Sequence, residues 1–250
     1  MITHLPRSPQ DIKVLNEINY LDNPQAIQTM DYRKKIVDKP WGYEYLMFQN
    51  EFVAIWILFL KEGYATSMHC HPIKMTSLTV LSGQVETSSL NSKTVLNELD
   101  GIIIDKATFH STQAISSEGA FIMEIETPPN KTDLVRYKDS NGRTTSQYEN
   151  AKDNGTHAEY EHVFFDESKE LNTHIKKGFL NKTISVLSHD NFEALSNQLN
   201  HKKIGIICPL TIIDTKHLEL GRIIHTHELP KTIFEEKNSL QSHIETLIIY

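Results

Sequence analysis

Between Val37 and Arg136 the chain reads as short apolar or β-branched runs separated by turn residues: "YEYLMF", "FVAIWILFL", "TSLTVL", "QVETSSL", "GIIID" and "AFIMEIET". Such runs predict strands. Their close spacing predicts an antiparallel sandwich or barrel, because parallel neighbours need crossovers of about a dozen residues. Residues 1–35 are more polar and carry Pro6, Pro9 and Pro24, so they read as a lead-in segment. Within it "SPQDIKVLNEI" predicts a short helix opened by Ser-Pro.

Between Asp139 and Glu161 lies a polar stretch with two Asn-Gly turn signals, which marks the best boundary in the chain. The expected organisation is a lead-in at 1–35, a β domain at 36–143, a linker at 144–160 and a smaller β-rich domain at 161–250. In that last part "SHDNFEALSNQLN" has helical spacing, with Phe192, Leu195 and Leu199 on one face and Ser188 or Asp190 as its cap. The runs "KIGIICPLTII", "LELGRIIH" and "IETLIIY" then return to strand texture. The order strand, turn, Gly, strand, His-x-His weakly echoes the first half, which admits a degenerate copy of it.

Composition narrows the function more than the fold. Lys and Arg total 25 against 32 Asp and Glu, a formal charge of −7, so no nucleic-acid partner and no membrane partner is expected. Two cysteines, Cys70 and Cys208, are too few for a disulfide framework and suit a reducing compartment. The longest apolar run, Phe52 to Leu60, is far short of a membrane span, and "MITHLPRSPQ" lacks a signal-peptide pattern. The expectation is a soluble cytoplasmic protein.

The candidate chemistry centres on "SMHCHP". In an extended strand alternate side chains share a face, so His69 and His71 point together and Cys70 points away. His110 closes another β-type run and could be carried alongside by a neighbouring strand. Three imidazoles with open positions suit Zn, Fe(II), Ni or Mn about equally. Spacing alone also fits three ordinary histidines.

The run Gly63, five residues, His69-x-His71, then "VLSG" ending at Gly83, followed by Gly101 to His110, resembles the two-part metal motif of cupins. Closer still, "DKPWGYEY" from Asp38 and "MEIETPPNKTDLVRYKDSNGR" ending at Arg143 resemble the cupin domain of type II mannose-6-phosphate isomerases, in the right order over residues 36–143. The resemblance implies an all-β jelly-roll barrel, a divalent metal held by His69, His71 and His110, and a sugar phosphate or nucleotide-sugar as small-molecule substrate. It points to an isomerase or epimerase, of the kind used to build bacterial surface polysaccharides.

The departures matter equally. Thr76 stands where cupins place a glutamate ligand, and "DKATFH" lacks the proline and glycine usual before the last histidine. Glu124 and Glu126 share a strand face, which makes them candidates for a borrowed ligand or a general base, against a plain reading as a solvent-facing edge. Lys74 joins them as a candidate catalytic cation. Arg136, Arg143 and Lys106 are candidates to bind substrate anions, arginine by a bidentate grip, against a plain reading as surface charges. Trp41 is expected to pack beneath the barrel rim. The second His-x-His, His225 and His227, lacks a clear third ligand apart from His243, so the C-terminal part is expected to support folding, homodimerisation or the barrel mouth. Two other function classes remain open at this point: a three-histidine Fe(II) oxygenase and a non-catalytic sugar-binding protein.

Overall fold

The computed structural model describes residues 1–18, 31–138, 162–167, 170, 173–191, 194–195, 205–212, 218–229 and 243–250. The expected boundary at 139–161, and Arg143 with it, lies outside the described residues.

Strands β1 (Ile2–Leu5), β2 (Ile36–Lys39), β3 (Gly42–Gln49), β4 (Ala54–Leu60), β5 (Met68–Cys70), β6 (Met75–Ser82), β7 (Val85–Ser89), β8 (Lys93–Leu96), β9 (Gly101–Ile104), β10 (His110–Ala114), β11 (Ala120–Thr127) and β12 (Val135–Lys138) form two sheets. A middle sheet runs β1-β9-β6-β11-β4-β3-β2 and a front sheet runs β12-β5-β10-β7-β8. From β5 onward the chain repeatedly crosses between them, and all pairings except β1 with β9 are antiparallel. This is the all-β jelly-roll that the cupin resemblance implies.

Strand alternation explains what fills it. Leu46, Trp56, Leu58, Leu78, Val80, Ile102 and Ile122 of the middle sheet meet Val85, Leu96 and Ala114 of the front sheet in one buried cluster. Their sequence neighbours Tyr45, Met47, Ile55, Ile57, Leu81, Met123 and Ile125 face the other way, into a second cluster with Phe179, Ile184, Val186, Ile206, Cys208, Leu247 and Ile249. Those partners belong to a back sheet, β13-β14-β17-β15-β16, made of β13 (Thr173–Phe179), β14 (Lys182–His189), β15 (Ile206–Pro209), β16 (Ile224–His225) and β17 (Ile244–Ile249). The middle sheet is therefore covered on both faces. That is why β4 reads as an unbroken apolar run, where a half-exposed strand would alternate.

The C-terminal part shares a core with the barrel. The turn at Gly221, with φ +72°, presses so closely on β11 that a Cβ there would sit 1.8 Å from Thr127 Oγ1. Ser77 Oγ also donates to the Gly221 carbonyl at 2.8 Å.

The lead-in is built into the barrel as well. β1 lies parallel to β9, and α1 (Pro9–Glu17) carries the expected Ser-Pro start, with a capping box between Ser8 and Asp11. Of the second expected helix only Ala194 and Leu195 are described as helical. The cap is Asn191, whose Oδ1 accepts from Ala194 N at 2.9 Å. Neither Ser188 nor Asp190 takes that role, because β14 runs on to His189 and keeps Ser188 in the sheet.

Candidate metal centre and acid–base cavity

The front sheet assembles the histidines. β5 and β10 are antiparallel neighbours with His69 directly opposite His110, and β12 on the other side of β5 sets Arg136 opposite His69. His71 follows two residues after His69 on the same face. The ring centroids lie 4.5 to 5.4 Å apart, and one ligand nitrogen from each ring lies within 4.8 Å of the others. Among the described residues this is the one such group, so His225, His227 and His243 do not form a second. His225 and His227 stack on each other at 5.2 Å.

Each ring is oriented by a backbone carbonyl. Nδ1 of His69 lies 2.7 Å from Ser67 O, Nδ1 of His71 lies 2.5 Å from Asp133 O, and Nδ1 of His110 lies 3.0 Å from Thr108 O. A carbonyl can only accept, so Nδ1 carries the proton in all three rings and Nε2 keeps its lone pair. This is the arrangement that holds metal-binding imidazoles in place. His71 Nε2 is buried and makes no hydrogen bond.

Burial lowers all three from the usual histidine range: His69 and His71 well below it, with neighbouring positive charges adding, and His110 to about 4. Three neutral, fixed, convergent nitrogens with one buried orphan lone pair fit a borderline divalent ion.

Beside the histidines is a cavity open to solvent. His69, His71, Lys74, Glu124, Glu126 and Arg136 line it, joined by Lys39, Trp41, Glu44 and Lys131. Glu124 and Glu126 follow Ile122 in alternation and so face inward, which rules out a solvent-facing edge. Lys74 and Glu126, both about 1% exposed, pair at 2.6 Å, and Lys131 reaches Glu126 at 3.3 Å and Glu44 at 3.1 Å. Lys39 adds a longer pair with Glu44 at 3.7 Å. Lys74 is therefore no surface charge.

The two glutamates are shifted in opposite directions. Burial pushes Glu126 up, but the ammonium groups of Lys131 and Lys74 outweigh it and hold its carboxyl below the ordinary value. Burial pushes Glu124 up to about 7, the charge on Glu126 adds to this, and Lys131 and Lys74 only partly offset it.

Thr76 faces the barrel interior, sharing its strand face with Leu78 and Val80, opposite Glu126 in register. It is buried, and its Oγ1 makes no hydrogen bond. Trp41 is buried in the interior cluster and also touches the cavity. Lys106 is exposed and absent from the cavity lining, because the turn before β10 directs it outward.

Sequence reasoning missed several members. Glu44 and Lys39 lie inside the "DKPWGYEY" stretch, and the alternation Gly42, Glu44, Leu46 would have turned Glu44 inward once Leu46 was known to be core. Asp133 orients His71 by its carbonyl and accepts from Ile73 N and Lys74 N by its carboxylate, each at 2.8 Å.

No protein-family model matches the chain, and no curated protein matches it. Solved structures similar to it are cupin-fold proteins. KdgF from Halomonas sp. is 15% identical with a TM-score of 0.37, over 40% of this chain and 94% of that one. An RmlC-like cupin from Shewanella frigidimarina is 14% identical with a TM-score of 0.36, over 42% and 93%. A cupin-superfamily sugar phosphate isomerase from Silicibacter pomeroyi is 13% identical with a TM-score of 0.32, over 36% and 57%. Likeness at this level assigns no role to any residue. The fold and site stand on the topology and geometry above.

Proposed function

We propose that this barrel is a divalent-metal-dependent sugar isomerase or epimerase that moves a proton on the carbon beside a carbonyl. The observation that carries the reading is the pair of inward glutamates on β11 whose pKa values are shifted in opposite directions, in a cavity lined by His69 and His71 of the three convergent imidazoles. Carboxylates whose surroundings drive them apart mark a division of acid–base labour.

A divalent ion on the three Nε2 atoms would supply a Lewis acid for the substrate's carbonyl oxygen. The chain supplies the rest. Glu124, balanced near neutrality, takes the proton from carbon and returns it. Glu126 stays ionised between Lys74 and Lys131, and the Lys74 ammonium provides a fixed positive field at the cavity floor. Arg136, opposite His69 in register and in the cavity lining, would meet an anionic group of the substrate. Sugar phosphates and nucleotide-sugars, the substrate class of surface-polysaccharide assembly, are the first compounds to screen.

The test is deuterium exchange. Metal-loaded protein incubated in deuterated water with panels of sugar phosphates and nucleotide-sugars should incorporate deuterium at the carbon beside the carbonyl, read by NMR. Glu124→Gln should lose the exchange while keeping its metal. Exchange undiminished in Glu124→Gln would remove this glutamate from the mechanism. Turnover that consumes oxygen without exchange would replace the isomerase by the oxygenase.

A further inference from the structure

We propose that the N-terminal segment is a clamp that sets metal affinity, with Asp11 as a positioning residue for His110; the proposal rests on the metal-site reading above.

The turn that delivers His110 to the site, Asp105 to Phe109, contains Ala107 at φ +60°. That is the left-handed region, which an alanine disfavours and a glycine tolerates. Something must hold the turn there. His71 O accepts from Ala107 N at 2.7 Å, which ties the turn to one ligand strand. The N-terminal segment holds both ends: Leu5 O accepts from Asp105 N at 3.1 Å, and Asp11 Oδ1 accepts from Phe109 N at 2.9 Å.

Asp11 is itself immobilised. It is 2% exposed, and its other oxygen closes the capping box of α1, accepting from Ser8 N at 2.7 Å and Ser8 Oγ at 2.6 Å. Behind the site, the residues that alternate with the ligands form their own small core. Cys70, Phe109 and Val135 pack with Val14 of α1, with Leu15 and Ile18 against them. The helix thus covers the outer side of the strands whose inner side carries His69, His71, His110 and Arg136. One carboxylate both starts that helix and grips the backbone amide immediately before a ligand.

The clamp makes a prediction that a general loss of stability does not. If Asp11 holds Ala107 in an unfavourable conformation, then losing Asp11 matters less when residue 107 is a glycine, which adopts that conformation without strain. Zn(II) affinity is measured by competition with a chelator for the parent protein, Asp11→Ala, Ala107→Gly and the double variant. Asp11→Ala should weaken Zn(II) binding by about 10- to 100-fold, the range for residues that orient a ligand. Ala107→Gly alone should bind within about threefold of the parent, and in the double variant it should recover at least about threefold of the loss.

Binding by Asp11→Ala equal to the parent would overturn the clamp, and so would a loss that Ala107→Gly does not recover. Hydrogen exchange at the Phe109 amide in the metal-free parent provides an arm that needs no variant. Its acceptor is Asp11, so exchange should be slow without metal, and fast exchange would overturn the clamp. A parent protein that binds no Zn(II) would instead remove the metal reading, leaving the clamp to the exchange result.

Discussion

Glu124→Gln should make the protein more stable, and by an amount that grows with pH. Glu124 has its folded-state pKa raised from 4.5 to about 7, chiefly by burial. Below pH 4.5 the group is protonated whether the chain is folded or not, so it costs nothing. Between 4.5 and about 7 the unfolded chain releases the proton while the folded one keeps it, and stability falls with rising pH. Above 7 the full cost is present. A shift from 4.5 to about 7, at 1.36 kcal/mol per unit, is about 3 kcal/mol. Glu124 keeps partial solvent contact through the cavity, so screening makes this a ceiling. Glutamine has nearly the same shape and never ionises. For a chain of this size roughly 3 kcal/mol corresponds to about 6–12 °C in Tm. Thermal unfolding of the two metal-free proteins between pH 4.5 and 8 should give curves that nearly meet at the acid end and diverge toward pH 8, with the variant higher. A gap at pH 8 within about 2 °C of the gap at pH 4.5 would refute the assignment of a strained, near-neutral carboxyl. It would also take away the physical basis for Glu124 as the proton carrier.

Three further outcomes are expected. His71→Ala should lower Zn(II) affinity at least about 100-fold by equilibrium titration, since its Nε2 is the buried, unpaired lone pair of the group; parent-like metal content would disprove convergence. Thr76→Glu should tighten Zn(II) binding about tenfold or more, because an inward carboxylate offsets the ion's charge as a hydroxyl cannot; unchanged affinity would mean that the new group pairs with Lys74 instead. Gly221→Ala should cost about 2–4 kcal/mol in denaturant unfolding, since the new methyl meets Thr127 Oγ1 at 1.8 Å and the backbone sits at φ +72°; a loss below about 0.5 kcal/mol would contradict the close docking of the C-terminal part on β11.

Much of the site was legible because strand alternation is a two-state rule. His69 and His71 had to share a face, Cys70 had to take the other, and Glu124 with Glu126 had to follow Ile122 inward once that residue was core. What alternation could not supply was the identity of neighbours across sheets. The pairing of His110 with His69 depends on a crossover whose register no local pattern records. Lys131 enters the cavity from the loop between β11 and β12, where no periodicity applies. The β13–β14 hairpin was missed for a related reason: the consecutive Lys176 and Lys177 in "THIKKGF" put an exposed charge on each face and break the apolar alternation, so only its partner strand looks buried. The lead-in was read as separate because its proline content suggests a tail, while its hold on the His110 turn is made by Asp11 and by a main-chain carbonyl, neither of which has a hydrophobic signature.

A sheet covered on both sides also limits how this chain can be recombined. Many barrels behave as portable modules that can be cut out and fused elsewhere. Here a fragment ending at residue 138 would present Tyr45, Met47, Ile55, Ile57, Met123 and Ile125 to water as one continuous oily wall, the back sheet having been its cover. Such a fragment would carry every histidine and glutamate of the cavity and still come out of solution. The barrel and its backing are bound into a single heritable unit, and any swap that leaves the C-terminal part behind must first repaint that wall with polar side chains.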